Sequence, residues 1–262
     1  MINRKEYEDK KKREKAWYGP RNTEKKQTLL KSILTSKIFF SPERRKYAFS
    51  FAKWQMNLFI HEQLKHQKVA KMLIAPCGNG ADYTYLKEFS DKIYGVDLSP
   101  IAIKSCPDSM EVKEADILES GYPSEFFDLI ASPLFFHHLI SIGFYPFLKE
   151  FYRILKPGGK LIILEPSIFY PLNAFTRPLK KLTKNVYGEL EDEAPFNPKI
   201  LLNSLKEVGY INLKIKAATF SHMFFYIPLS KMINFFTKPF LQNNGFWNYF
   251  GWTVIFWGEK PN

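Results

Sequence analysis

A turn that contains two glycines, Cys77-Gly78-Asn79-Gly80, follows an apolar stretch at residues 69–75. This pattern predicts a buried strand, a tight turn and the start of a helix. Because glycine has no β carbon, such a turn lets a ligand approach the backbone at the carboxyl edge of a parallel sheet. Asp82 stands in the first turn of the predicted helix. The sequence therefore predicts a site for a nucleotide-like cofactor here.

Three classes of cofactor use a glycine turn of this kind, and the neighbouring residues separate them. A dinucleotide site needs a third glycine where this chain has Tyr83, and a P-loop needs a lysine and a serine or threonine where it has Ala81 and Asp82. A carboxylate at a helix start would repel phosphate. Asp82 is better explained by S-adenosylmethionine, which has a sulfonium and an amino group and no phosphate. The alternative is that Asp82 only interacts favourably with the helix dipole.

Two further acids stand at the ends of predicted strands. Asp97 ends the second strand, where a carboxylate can accept both ribose hydroxyls of a cofactor. Asp116 ends the third strand, where it could accept from the adenine amino group while Ile117 packs on the ring. Because the carboxyl ends of parallel strands meet at one edge, both acids are predicted to face the site of the glycine turn.

Strands alternate with helices from Ala70 onward, which predicts a parallel sheet covered on both faces. Further strands are predicted at residues 92–97, 110–115, 127–131, 160–164, 211–217 and 252–259. Helices are predicted at residues 42–67, 99–106, 139–155 and 197–208, with a turn at 156–159. Ser41 is the predicted N-cap of the first of these helices.

Five segments carry a resemblance to a known family. They are Cys77-Gly78-Asn79-Gly80, Tyr94-Gly95-Val96-Asp97-Leu98-Ser99, Glu114-Ala115-Asp116-Ile117, Phe127-Asp128-Leu129-Ile130 and Leu155-Lys156-Pro157-Gly158-Gly159-Lys160-Leu161. In this order the chain resembles class I S-adenosylmethionine-dependent methyltransferases that act on small or lipid-linked acceptors. The resemblance implies an α/β fold with a Rossmann-like, seven-stranded, mostly parallel sheet and helices on both faces. It also implies an antiparallel terminal strand beside the fifth strand, and the chain adds an N-terminal helical extension.

The resemblance further implies an enzyme that uses S-adenosylmethionine. Gly78 and Gly80 would approach its methionine part, Asp97 its ribose and Asp116 its adenine. This chain has Ile74 and Pro76 where the family usually has an acid and a glycine, so we expect Asp82 to contact the amino group. The predicted cofactor contacts are Pro76, Cys77, Gly78, Asn79, Gly80, Asp82, Asp97, Leu98, Asp116, Ile117 and Ser132. No metal is expected.

Candidate catalytic residues follow the fourth and fifth strands. They are His137, His138 and Glu165, and a histidine suits a general base because its pKa lies near neutrality. The alternative is that the two histidines are not catalytic and that Glu165 orients the loop. The predicted substrate contacts are Tyr18, His137, Tyr170 and Arg177. Arg177 could clamp a carboxylate or phosphate, or it could form a surface ion pair.

Composition limits the remaining possibilities. The 262 residues include 45% apolar residues, enough for one α/β domain, and the net charge of +12 favours anionic partners. Two cysteines cannot form a disulfide framework, and neither a signal peptide nor a membrane-spanning run is visible, so we expect a cytoplasmic protein.

We expect residues 1–66 to form a basic arm and helices that act as a lid. Residues 67–262 would form the methyltransferase domain, with an aromatic-rich insertion at about 167–250.

The aromatic-rich insertion leaves the acceptor open. Residues 220–257 contain fourteen aromatic side chains, which suggests a lid over an apolar acceptor or peripheral contact with an anionic membrane. We expect methyl transfer to oxygen of a small or lipid-linked acceptor, such as a quinone precursor or a sugar. The alternatives are an RNA methyltransferase that uses the basic arm and a non-catalytic cofactor-binding partner subunit. Nucleic acid is less favoured because the chain has no recognised RNA-binding module.

Overall fold

The computed structural model describes residues 4–17, 41–174, 193–242 and 245–262. Seven strands among these residues are β1 (Met72–Ile74), β2 (Ile93–Asp97), β3 (Met110–Glu114), β4 (Phe127–Pro133), β5 (Leu155–Pro166), β6 (Ile211–Thr219) and β7 (Thr253–Glu259). They form one sheet in the order β3-β2-β1-β4-β5-β7-β6. The strands β1 to β5 pair in parallel, and β7 is antiparallel to both β5 and β6. The predicted sheet and the position of its terminal strand are therefore confirmed.

Seven α-helices accompany the sheet in the described part of the chain. They are α1 (Arg4–Trp17), α2 (Pro42–Gln63), α3 (Tyr83–Leu86), α4 (Pro100–Ile103), α5 (Tyr145–Ile154), α6 (Pro198–Val208) and α7 (Ile227–Gln242). Short 3-10 helices lie at Ile117–Glu119, Phe136–His138 and Phe246–Phe250. The Ser41 hydroxyl accepts the Arg44 N–H at 3.4 Å, and Pro42 occupies the first turn of α2, so the predicted cap is confirmed.

Several predicted element boundaries are wrong, and three of these errors are large. Helix α2 ends at Gln63 instead of residue 67, and Lys65 and His66 then have φ values of 50° and 62°, which no helix accommodates. Helix α5 begins at Tyr145 instead of residue 139, after Gly143 with a φ of 93°. The predicted turn at residues 156–159 belongs to β5, because it pairs with the residue that follows β7. The Gly158 N–H donates to the Lys260 carbonyl at 3.0 Å, and the Lys260 N–H donates to the Gly159 carbonyl at 2.9 Å.

The core lies on both faces of the sheet. Leu73 of β1 points to one face, where residues of α1, α5 and α6 such as Tyr7, Phe151 and Leu205 pack. Met72 and Ile74 point to the other face, where they meet a buried stripe of α2 that comprises Ala52, Met56, Phe59, Ile60 and Leu64. The predicted two-sided cover and the predicted stripe of α2 are confirmed.

The strand order changes direction at β1, which lies between β2 and β4. In open α/β sheets, ligands bind in the crevice outside the carboxyl ends of strands at such a point. Helix α2 packs into the core of the sheet, and the predicted division of the chain at residue 66 stays a prediction. Among the described residues, none of the helices has the length and hydropathy that spanning a membrane requires.

Candidate active site

A cavity of about 300 Å³ opens at the carboxyl ends of β1 to β4. Its walls include nine of the eleven predicted cofactor contacts: Pro76, Cys77, Gly78, Asn79, Asp82, Asp97, Leu98, Asp116 and Ile117. The remaining wall comes from helix α1, from Lys53 of α2, and from the segment that follows β4. The structure therefore brings the residues of three successive strand ends together.

Gly78 and Asp97 are joined by a hydrogen bond. The Gly78 N–H donates to Oδ2 of Asp97 at 2.8 Å, and the Ser99 N–H donates to Oδ1 at 2.9 Å. Burial raises the pKa of Asp97, while these backbone hydrogen bonds oppose that rise. The carboxylate is thus held in one orientation at the cavity wall, as the predicted ribose contact requires.

Gly80 and Ser132, the other two predicted contacts, lie outside the cavity wall. Gly80 has a φ of 76°, and a β carbon on it would lie 2.6 Å from Cδ of Pro107. This glycine therefore lets the loop before β3 pack on the turn. Ser132 is fully buried inside β4, and the residues after it, Pro133 and Leu134, line the cavity.

Asp82 faces the cavity beside Lys53. Their Oδ1 and Nζ atoms are 2.8 Å apart, and each side chain is 14% exposed. Ile74 is fully buried in the sheet and cannot reach a ligand. The pair presents one carboxylate and one ammonium group, which are complementary to the two charges of an amino acid. Sequence reasoning missed Lys53, although its place directly after Ala52 of the buried stripe puts it beside the sheet.

Helix α1 closes the cavity at the end of β3. The Tyr7 hydroxyl donates to Oδ1 of Asp116 at 2.6 Å, and Nζ of Lys11 lies 3.1 Å from Oδ2. Burial raises the pKa of Tyr7, and its hydrogen bond to Asp116 adds to that rise. The Tyr7 ring also packs edge-on against Phe147 of α5, with 5.7 Å between centroids. Sequence reasoning missed Tyr7, because the many lysines around it predict an exposed segment and not a buried contact.

Glu165 is fully buried and organises the loop after β4. Its Oε1 accepts the N–H groups of Phe135 and Phe136 at 2.6 and 2.5 Å, and its Oε2 lies 2.8 Å from Nδ1 of His137. When Nδ1 of His137 carries the proton of that bond, Nε2 is the nitrogen that can accept another. This geometry favours the reading in which Glu165 orients the loop.

His138 lines the cavity and contacts two carboxylates. Its Nδ1 lies 3.1 Å from Oε1 of Glu14 and 3.1 Å from Oε1 of Glu193. Burial alone would lower the pKa of His138, but the hydrogen bonds to the two glutamates raise it to about 10. A protonated imidazole cannot act as a general base at neutral pH, so His137 is the better candidate of the two. His137 is not itself part of the cavity wall, but its ring adjoins that of His138, with 4.2 Å between centroids. His137, His138 and Glu193 each place one possible metal-ligand atom within 4.8 Å of the others, and Glu193 contacts His138 directly at 3.1 Å.

Only some of the predicted substrate contacts belong to the described residues. Tyr18 and Arg177 lie outside the described residues. Tyr170 is buried, its hydroxyl donates to the Phe220 carbonyl at 2.8 Å, and its ring stacks on His222. It therefore packs within the core beside the sheet edge. Apolar side chains that sequence reasoning did not select, among them Phe135, Leu139 and Phe147, line the cavity near His138.

Comparisons with known proteins agree with this site. Residues 73–163 match the family model described as a methyltransferase domain. The chain is 27% identical over 216 residues to the demethylmenaquinone methyltransferase of Geobacillus sp. (strain WCH70), covering 70% of this chain and 89% of that relative. It is 24% identical over 182 residues to the ubiquinone/menaquinone biosynthesis C-methyltransferase UbiE of Francisella tularensis, covering 62% of this chain and 68% of the relative. An uncharacterized methyltransferase of Bacillus velezensis is 27% identical over 135 residues, which are 63% of its length.

Solved structures show the same fold. A possible histamine N-methyltransferase from Thermotoga maritima superposes with a TM-score of 0.62 at 18% identity, covering 83% of this chain and 91% of its own. Phosphoethanolamine N-methyltransferase 2 of Haemonchus contortus, in complex with S-adenosyl-L-methionine, superposes with a TM-score of 0.53 at 18% identity, covering 90% of this chain and 60% of its own.

The sheet order, the glycine turn with its acids and the matched domain together define an S-adenosylmethionine-dependent methyltransferase. The chain has the fold of the class I enzymes of this kind, and its cofactor is S-adenosylmethionine. The reading as a non-catalytic partner subunit is therefore set aside.

Proposed function

We propose that this enzyme methylates a ring hydroxyl of a quinol-type aromatic acceptor. The observation that carries the proposal is the apolar, aromatic part of the cavity wall, Phe135, Leu139 and Phe147, which shares that wall with His138. A flat aromatic ring can bury its faces against such side chains while its hydroxyl reaches an imidazole. The relatives named for menaquinone and ubiquinone support the same class of acceptor.

The residues of the cavity suit S-adenosylmethionine. Lys53 and Asp82 would hold the carboxylate and the amino group of its methionine part, Asp97 its ribose, and Asp116 with Ile117 its adenine. The bound cofactor supplies an electrophilic methyl group, which an in-line nucleophile can accept. The fit rests on the opposite charges of Lys53 and Asp82 and on the fixed carboxylate of Asp97.

The two histidines would have different roles towards the acceptor hydroxyl, one as general base and one as a stabilising positive charge. His137, held at Nδ1 by Glu165, would take the hydroxyl proton on Nε2 and so make the oxygen nucleophilic. His138, whose ring centroid lies 4.2 Å from that of His137, stays protonated and would stabilise the developing negative charge. Glu165 acts as a positioning residue, because its oxygens are occupied by the loop.

The contacts of α1 argue against the alternative of an RNA methyltransferase whose basic arm binds phosphates. Lys11 and Lys15, two lysines of the basic N-terminal arm, lie 3.1 and 3.7 Å from carboxylate oxygens of Asp116 and Glu114 of the chain itself. A lysine that is paired within the protein contributes less to phosphate binding.

The test is turnover of a reduced naphthoquinone that carries a free ring hydroxyl, with product analysis by mass spectrometry and NMR. We expect a methoxy product from the wild type, and a loss of turnover of about a hundredfold in His137→Ala, the range that general-base catalysis supplies. S-adenosylhomocysteine should bind His137→Ala as it binds the wild type. A ring-methyl product would overturn the oxygen assignment, and full turnover of His137→Ala would overturn the base assignment. Methylation of RNA or sugar lipid but of no quinol would overturn the acceptor class.

A further inference from the structure

Helix α7 packs with its polar side towards the protein. Ser230, Asn234 and Leu241 are the buried residues of this helix, and Oδ1 of Asn234 accepts the Thr219 hydroxyl of β6 at 2.9 Å. A surface helix ordinarily buries an apolar stripe and exposes a polar one. The arrangement of α7 is the reverse, so its outer side needs an explanation.

The outer side of α7 exposes large apolar side chains at helical spacing. Phe235 is 73% exposed and Phe236 67%, with Met232, Phe240 and Leu229 beside them. The 3-10 helix before β7 extends this surface, because Trp247 lies 5.9 Å from Phe240 between ring centroids and is itself 57% exposed. We name this surface the α7 patch, which comprises Leu229, Met232, Phe235, Phe236, Phe240, Phe246 and Trp247. A contiguous apolar surface of this kind marks a place of interaction.

The charged residues of α7 itself have one sign. Lys231 and Lys238 are exposed on α7, and their separation of seven residues places them on the same flank of the helix. Residues 208–258 contain four lysines and no aspartate or glutamate. Apolar side chains with a lysine flank are the pattern of a helix that lies in a membrane interface, and lysines attract anionic headgroups.

We propose that the α7 patch docks on an anionic lipid bilayer, with α7 lying in the plane of the interface. The lysine flank in a segment without acids favours an anionic bilayer over a protein partner of mixed charge. The helix has sixteen residues and is therefore about 24 Å long. Its large aromatic side chains are those that sit at headgroup depth. The proposal does not depend on which acceptor the enzyme methylates.

Helix α2 connects the docked surface with the active site. The Arg44 guanidinium, near the start of α2, lies 3.5 Å from the centroid of the Tyr226 ring, which directly precedes α7. Lys53, on the same helix, faces the cavity. Nine residues separate them, or about 13 Å along the helix. Helix α2 therefore reaches from the residue that precedes α7 to the cavity wall.

The test is flotation of the full chain with vesicles of phosphatidylcholine alone or mixed with phosphatidylglycerol. We expect the protein to float with the mixed vesicles and to be released by salt. The Phe236→Asp/Phe240→Asp variant should bind at least about tenfold more weakly, because it places two charges in the apolar surface. Lys231→Gln/Lys238→Gln should lose the preference for phosphatidylglycerol, by on the order of tenfold. The matched control is Ile200→Asp, an exposed apolar side chain on α6, which should float as the wild type does.

Two further measurements keep this test decisive. Circular dichroism and affinity for S-adenosylhomocysteine should be the same in all variants, which separates loss of docking from loss of the cofactor site. Brominated phosphatidylglycerol should quench tryptophan fluorescence of the wild type more than that of Trp247→Phe, and this readout needs no charged substitution. A protein that stays in the soluble fraction with both kinds of vesicle would overturn the proposal. So would a dimer that disappears in Phe236→Asp/Phe240→Asp while flotation is unchanged, because the patch would then join two copies of the chain.

Discussion

Lys53 and Asp82 form an ion pair at the cavity of a chain that lacks an acid at the end of its first strand. Class I enzymes usually have that acid, and here Ile74 is buried in the core. Asp82 comes from the helix start after the glycine turn, and Lys53 comes from α2. Under the proposed function, these two charged groups on different elements would together hold the amino-acid part of the cofactor.

We predict that Lys53→Met weakens S-adenosylhomocysteine binding by about tenfold, because one charge-assisted hydrogen bond is lost. The same substitution should leave the affinity for 5′-methylthioadenosine unchanged, since that ligand has no amino-acid group. Isothermal titration measures both affinities. Lys46→Met, on an exposed side of α2, is the control. Equal weakening for the two ligands would contradict the assignment of Lys53.

Asp97→Ala should weaken S-adenosylhomocysteine binding at least about tenfold, because the ribose loses its acceptor and the Gly78 N–H loses the bond that holds the turn. Titration calorimetry gives the affinity, and Asp91→Ala, an exposed acid that pairs with Lys68, is the matched control. An unchanged affinity in Asp97→Ala would show that the ribose lies elsewhere.

Helix α1 joins the active site through ionic contacts at both ends of its inner side. Tyr7 and Lys11 hold Asp116, and Glu14 holds His138. The second carboxylate on His138 belongs to Glu193, so one imidazolium connects α1, the loop after β4 and the segment before α6. The helix therefore contacts the cavity wall both at Asp116 and at His138.

The hydrogen bonds of His138 to two glutamates predict that the stability of the fold depends on pH. Its pKa is raised from 6.5 to about 10 in the folded protein, so its contribution is fully present below pH 6.5 and is lost as the pH rises through 10. The stability difference between the wild type and His138→Gln should therefore shrink between these two pH values. Denaturant unfolding at several pH values measures it, with the exposed His66→Gln as control. A difference that stays constant with pH would contradict the protonated state.

Local sequence patterns predicted most of the sheet and the cofactor side of the cavity. The glycine turn and the acids at strand ends depend on neighbouring residues, so Asp82, Asp97 and Asp116 could be selected from sequence. Lys53 and Tyr7 could not, because their roles arise from contacts with residues far away in the chain. The end of α2 was also missed, since positive φ values at Lys65 and His66 leave no signal in those residue types.

At the scale of the whole molecule, the cavity and the α7 patch depend on different parts of the chain. The matched domain at residues 73–163 includes the glycine turn, the acids at the strand ends and the aromatic wall formed by Phe135 and Phe147. The segments outside that match provide α1, which covers the cavity, and the region from β6 to β7, which carries the α7 patch. The proposed acceptor contacts therefore belong to the matched domain, whereas the proposed membrane contact lies outside it.

The place of β7 has a consequence for how the chain is made. Because β7 lies between β5 and β6, β6 has no partner in the sheet until residues 253–259 exist. A ribosome therefore releases β1 to β5 able to pair in parallel, while β6 stays unpaired until β7 has emerged. During that interval the nascent chain exposes the free edge of β5 in addition to the α7 patch, and an exposed strand edge favours aggregation.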